Sequence, residues 1–317
     1  MASRRSVRRD FDLFSSCSWY TPGIGGVFAV LGWVLAGLAL GMLVSFILKI
    51  LLPGLPLSYT MLIIYPIQFI PVLIFVRLKS MNASMFETGF ALDSDHYGPA
   101  GTWKMAALAI AAALGAAVML DLINHFLPEM DELLKETMSA VLDGPLWVSL
   151  LSMSIMAPLF EEWLCRGVVL RGLLNCSRLD KEGNRVRGLH PALAIVISAF
   201  FFAAIHGNFW QGIAAFLIGL LMGYVYYRTG SLKLTMLMHC ANNTLSVLLA
   251  KLGGEAARDA ASLLDLMPAW KYAILFVVGA ALVGAFLLAL KNVPLDRPQG
   301  NSDVLPTDGG TVGTEPA

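Results

Sequence analysis

Apolar residues in this chain gather into long runs broken by short polar stretches. A helix that crosses a bilayer needs about 20 mostly apolar residues. Eight runs fit that reading: 26–52, 57–76, 103–126, 146–174, 190–206, 209–227, 231–251 and 269–290. Runs of this length favour helices over buried strands. Pro66 and Pro71 in the second run predict kinks. Between the third and fourth runs, Leu133, Leu134, Met138 and Val141 recur at roughly helical spacing, which predicts a short amphipathic surface helix within 127–145. The expected architecture is an all-α polytopic transmembrane bundle of about eight spans. It divides into a basic N-terminus (1–25), three transmembrane helices (26–126), an extracytoplasmic amphipathic segment (127–145), a polar-bearing core (146–251), a loop with the last span (252–290) and a tail (291–317). The tail is rich in Pro, Gly, Asp and Thr and is expected to be disordered.

Charge orients this bundle. Arg4, Arg5, Arg8 and Arg9 precede the first run, which is too long for the apolar part of a cleaved signal peptide. The positive-inside rule then puts the N-terminus in the cytoplasm. Arg77 and Lys79 follow the second run, Arg178, Lys181, Arg185 and Arg187 the fourth, Arg228 the sixth and Lys291 the eighth. The acidic segment with Glu129, Asp131, Glu132, Glu136 and Asp143 falls on the other side. An even number of spans with both termini cytoplasmic fits this asymmetry.

Composition narrows the class. Hydrophobic residues make up 57% and charged residues 14%, with a mean hydropathy of +0.70. Soluble domains are about 45–50% apolar and about 25% charged, so an ordinary soluble enzyme is excluded. The 22 basic and 22 acidic residues cancel. No dense basic domain offers itself to phosphates, which argues against a nucleic-acid partner. Cys17, Cys165, Cys176 and Cys240 form no C-x-x-C pair.

The informative residues are polar ones inside apolar runs. An ionisable group deep in a span costs roughly 2.5–3.5 kcal/mol and is by default a functional candidate. The fourth run carries Glu161, Glu162 and Arg166. Glu162 and Arg166 share a helix face at i, i+4 and can pair. Glu161 is turned about 100° away and is free to face a cavity. In the fifth run His206 follows Phe202 by four residues, and in the seventh Asn243 follows His239 by four. Asn242 is adjacent to Asn243 and turned away. A carboxylate, two imidazoles and a carboxamide can together activate water and hold an oxyanion. Read more plainly, Glu162 and Arg166 are a packing ion pair, and His206, His239 and Asn242 are interfacial or interhelical polar groups. Carboxylate and imidazole also suit zinc.

Glu161-Glu162-x-x-x-Arg166, Phe202-x-x-x-His206 and His239-x-x-x-Asn243, in that order, resemble the three motifs of the CAAX protease and bacteriocin-processing (CPBP) family of intramembrane proteases. Arg166-Gly167 and the run Tyr226 to Ser231 are also similar to that family. The resemblance covers about 145 to 250. It implies an eight-helix intramembrane endopeptidase, in which Glu161 activates water while His206, His239 and Asn243 assist it and hold the oxyanion. Glu162, Arg166 and Phe202 take supporting roles. It implies a glutamate-type hydrolase without a metal, with zinc as the less favoured alternative. The implied partners are membrane lipid and a membrane-associated substrate, prenylated or bacteriocin-like, and the implied location is a bacterial inner membrane. Two other classes compete: a non-catalytic immunity factor or scaffold on the same fold, and a transporter. No internal repeat supports the transporter.

One expectation concerns depth. At 1.5 Å per residue, His206 lies about 24 Å along its run from His190, and His239 about 12 Å along its own. The two meet only if the fifth span begins in the cytosol or the sixth is tilted or short. Gly207, Asn208, Gln211 and Gly212 mark an irregular polar junction there, expected to line a wet cavity opening to the cytoplasm.

Overall fold

The computed structural model describes residues 20–81, 93–94, 97–179, 185–254, 256 and 260–294. The N-terminal arginines, Cys17, Lys181 and the tail beyond Pro294 lie outside them. Among the described residues there are nine helices: α1 (Ile24–Leu51), α2 (Leu57–Met81), α3 (Gly101–Phe126), α4 (Glu132–Leu142), α5 (Leu146–Asn175), α6 (Pro191–Ala204), α7 (Phe209–Thr229), α8 (Leu232–Leu252) and α9 (Ala269–Lys291). All eight apolar runs are therefore helical. Six helices are long and apolar enough to cross a membrane: α1, α2, α3 with its leading turn, α5, α7 and α9. The other two differ in kind. Helix α6 has 14 residues, about 21 Å, against a hydrocarbon core of about 30 Å. Helix α8 has 21 residues but carries His239, Asn242 and Asn243 through its middle.

The amphipathic segment forms α4, whose first amides are capped by Asp131 Oδ1 (2.8 Å from Leu133 N). The basic stretch after α5 holds an antiparallel two-stranded ribbon, β1 (Ser177–Leu179) with β2 (Arg185–Arg187), which the apolar pattern does not announce.

Glycine sets how closely the outer helices approach. A Cβ on Gly37 of α1 would fall 1.8 Å from the carbonyl oxygen of Gln68 in α2. Gly115 of α3 and Gly279 of α9 face each other, and a Cβ on either would lie 2.7 Å from the other's carbonyl oxygen. Small residues permit such backbone approach where lipid supplies no hydrophobic drive. Helices α6 and α7 make a hairpin in which Gly219 and Gly223 rest on Ala199 and Ile195.

Polar clamps fix the helix ends. Asp93 Oδ1 accepts from Leu232 N (2.7 Å) and Lys233 N (3.2 Å) at the start of α8. Arg228 at the end of α7 donates to the carbonyls of Leu290 (3.1 Å) and Val293 (2.7 Å), satisfying the end of α9. Gly230, at φ +67°, makes the left-handed turn between α7 and α8. The core gathers around α5, whose Trp163, Leu164, Arg166 and Leu170 are fully buried.

Candidate active site

Helix α5 is irregular where its chemistry sits. Leu150–Met156 and Trp163–Leu170 are wound as π-helix, and the α-helical turn Ala157–Glu162 lies between them. Runs of π-helix are rare and concentrate at functional sites. Pro158 lies in that turn and has no N–H to donate. The two glutamates stand on its last residues.

Those adjacent carboxylates have opposite surroundings. Glu162 is wholly buried. Its Oε1 accepts from Arg166 Nη1 at 2.7 Å and from His239 Nδ1 at 3.0 Å. Arg166 is equally buried; its Nη2 donates to Gly219 O at 3.1 Å, and its guanidinium lies 4.6 Å over the Phe202 ring. A buried ion pair is tolerable only with such extra partners. Glu161 keeps a side-chain exposure of 13% and lines a cavity of about 80 Å³. Its Oε1 accepts from the hydroxyl of Tyr65 in α2. Its Oε2 lies 3.7 Å from His239 Nε2. His239 thus stands between the two glutamates with one ring nitrogen toward each.

Phe202 joins the histidines. Its ring meets His206 edge-on at 4.9 Å and His239 at 5.5 Å. His206 is not helical, for α6 ends two residues earlier at Ala204. It lies in the turn of the α6–α7 hairpin, where Gly207 takes φ +69° and Asn208 Oδ1 accepts from Gln211 N at 2.9 Å. Phe202 packs against both imidazoles, so His206 and His239 share one site. His206 Nδ1 is 2.8 Å from Phe202 O and therefore carries a proton, and Nε2 is left toward the cavity side chains.

Asn243 sits one turn beyond His239. Its Nδ2 donates to Met153 O of α5 at 2.8 Å, and its Oδ1 accepts from Asn242 Nδ2 at 3.1 Å. The two asparagines therefore touch, where helical spacing turned Asn242 away. The arrangement brings Glu161, Glu162, Arg166, Phe202, His206 and His239 into one contiguous cluster and holds Asn243 at its edge.

The rest of the cavity wall comes from Val34 and Leu38 of α1, from Tyr65, Gln68, Phe69 and Val72 of α2, and from Leu164 and Ile205. Sequence reasoning missed Tyr65 and Gln68. Their signal was two polar side chains at i, i+3 in an otherwise apolar span. As metal donors the set fits poorly. Phe202 stands between the two imidazoles, and no group of three His, Cys, Asp or Glu side chains converges among the described residues.

Residues 143–245 match the family of type II CAAX prenyl endopeptidases, Rce1-like. This region, about a third of the chain, is similar to that family. No curated protein and no solved structure matches the chain. The match begins just before α5 and ends within α8, so it contains all three motifs. The similarity supports a protease-type core, and six helices long and apolar enough to cross a bilayer support an integral membrane protein. Helices α1 and α2, which close the cavity, lie outside the matched region.

Proposed function

We propose that the protein cleaves a peptide bond of a membrane-associated substrate, prenylated or bacteriocin-like, with a water activated by Glu161. The observation that carries this reading is the contrast between the glutamates: Glu162 is wholly buried with Oε1 committed to Arg166 and His239, whereas Glu161 faces a cavity. A carboxylate at a cavity wall suits general-base work. Glu161 takes a proton from water as the hydroxide bonds to the scissile carbonyl carbon. The carbonyl π electrons move to oxygen. The tetrahedral intermediate then expels the amine, and the proton held on Glu161 passes to that nitrogen as the C–N bond breaks.

The neighbours have distinct tasks. Tyr65 fixes one oxygen of Glu161 and leaves the other for water. Glu162 holds His239 by Nδ1, which directs Nε2 toward Glu161. His206, with Nδ1–H on Phe202 O, meets the oxyanion through Nε2–H in its protonated form. Asn243 supplies an amide hydrogen to the same oxyanion, in the manner of other preorganised donors.

The test is cleavage by purified protein in detergent, using a C-terminally prenylated reporter and a library of membrane-segment peptides. Wild type and Glu161→Gln are compared with and without a chelator. Cleavage lost in the variant but kept under chelation supports the glutamate mechanism. Loss on chelation with recovery on zinc makes the histidines ligands. A folded Glu161→Gln protein that still functions in cells, with no cleavage by wild type, leaves a non-catalytic immunity or scaffold protein.

A further inference from the structure

We propose that Pro158 is a positioning residue for Asn243. The argument is an accounting of backbone carbonyls. At the end of the first π segment, Ala157 N–H bonds Ser152 O, five residues back. The same winding would give Met153 O the N–H of residue 158. That residue is proline, which has no N–H. Met153 O is therefore left without a helical donor, and a buried carbonyl without a partner is costly. Asn243 Nδ2 of α8 takes the place of the missing amide, at 2.8 Å.

This bond settles the orientation of the Asn243 amide. Nδ2 must face the carbonyl, because Oδ1 there would repel it. Asn242 Nδ2 holds Oδ1 from the other side at 3.1 Å. A carboxamide has two N–H donors, and with one fixed on Met153 O the direction of the second is fixed too. A defect in α5 thus orients a side chain of α8 beside the helical turn that carries Glu161. Proline at this position lies three residues before Glu161, so the residue that frees the carbonyl and the proposed base move together.

The catalytic meaning of this device rests on the proposed reading that Asn243 meets the oxyanion; the hydrogen-bond coupling does not. Four proteins decide both: wild type, Pro158→Ala, Asn243→Ala and the double variant, each in detergent, with unfolding midpoint and cleavage kinetics measured. Pro158→Ala restores an N–H that can close onto Met153 O. Asn243→Ala should lower the midpoint clearly in the wild-type background and much less in the Pro158→Ala background. Equal losses in the two backgrounds overturn the coupling. Pro158→Ala itself should melt no lower than wild type, since an interior proline is removed, yet its kcat should fall roughly tenfold to a hundredfold with KM unchanged, as for a misplaced catalytic group. An unchanged kcat overturns the positioning role. Asn243→Asp, which sets a carboxylate oxygen against Met153 O, should melt below Asn243→Ala; the reverse order overturns the proposal even if Pro158→Ala does not fold. If wild type cleaves nothing, the protease reading fails, while the midpoint cycle still decides whether Pro158 and Asn243 are linked.

Discussion

Helices α1 and α2 meet at Gly37 with backbone against backbone, as α3 and α9 do at Gly115 and Gly279. Helices α5, α7 and α8 meet instead through a carboxylate, a guanidinium, an imidazole and a backbone carbonyl. The outer pairs are apolar on most faces, so close approach and dispersion must hold them. The inner helices carry groups that lipid would not tolerate. Those groups survive because each finds a partner on a neighbouring helix and because the outer pairs cover them. The comparison teaches where reactivity can reside. Buried, paired groups such as Glu162 and Arg166 build the core, and a group such as Glu161, left at a cavity wall, remains available for chemistry.

Breaking the inner bonding should cost the most. Arg166→Met leaves Glu162 buried without its cation, and removing one partner of a buried pair costs about 3–5 kcal/mol. The expected result is little folded protein, or a large fall in unfolding midpoint. Glu162→Met together with Arg166→Met should recover much of that loss, because an apolar replacement of both partners is often near neutral. If the single variant melts like wild type, neither the ion pair nor the Arg166 bond to Gly219 O of α7 holds the core together. Glu161→Gln is the opposite case. It should reduce cleavage by roughly 10²–10⁴, the usual worth of a general base, with a midpoint close to wild type. A large stability loss would place Glu161 among the structural residues instead.

This division was only partly legible in the chain. The all-α membrane fold followed from the length of the apolar runs, and α4 from helical spacing within 127–145. The Glu162–Arg166 contact followed from i, i+4 geometry. Spacing within one helix says nothing of its neighbours, so Tyr65 on Glu161 and His239 between the glutamates had to come from packing. The end of α6 before His206 was masked by the continuous apolar run Phe200 to Ile205. The π winding of α5 has no apolar signature at all; Pro158 was its only trace, and its consequence appears only when Asn243 is found on the carbonyl it frees. The ribbon of β1 and β2 was hidden inside a basic loop.

Tyr65 tests whether the outer pair contributes chemistry as well as cover. A hydrogen bond to a charged group is worth about 1.5–3 kcal/mol, so Tyr65→Phe should lower kcat roughly tenfold to a hundredfold with KM little changed. In a Glu161→Asp background, whose shorter side chain gives up the bond, the same substitution should cost far less. Additive losses would show that Tyr65 acts elsewhere than on Glu161.

The smallest effects separate two glycines on one helix. Gly32 and Gly37 both lie within α1, and both weaken a helix relative to alanine by roughly 1 kcal/mol. A Cβ on Gly32 meets nothing within 4 Å, whereas one on Gly37 collides with the Gln68 carbonyl. Gly32→Ala should therefore leave the unfolding midpoint unchanged or slightly raised. Gly37→Ala must push α2 away, at a cost typical of overpacking, about 1–3 kcal/mol. Because α2 also carries Tyr65 and Gln68 into the cavity wall, the same displacement should reduce cleavage, although Gly37 itself does not line the cavity. A Gly37→Ala protein that is destabilised yet fully active would show that the inner helices keep their geometry without the outer pair. One that loses activity while Gly32→Ala does not would show that the spacing of two lipid-facing helices is part of the site.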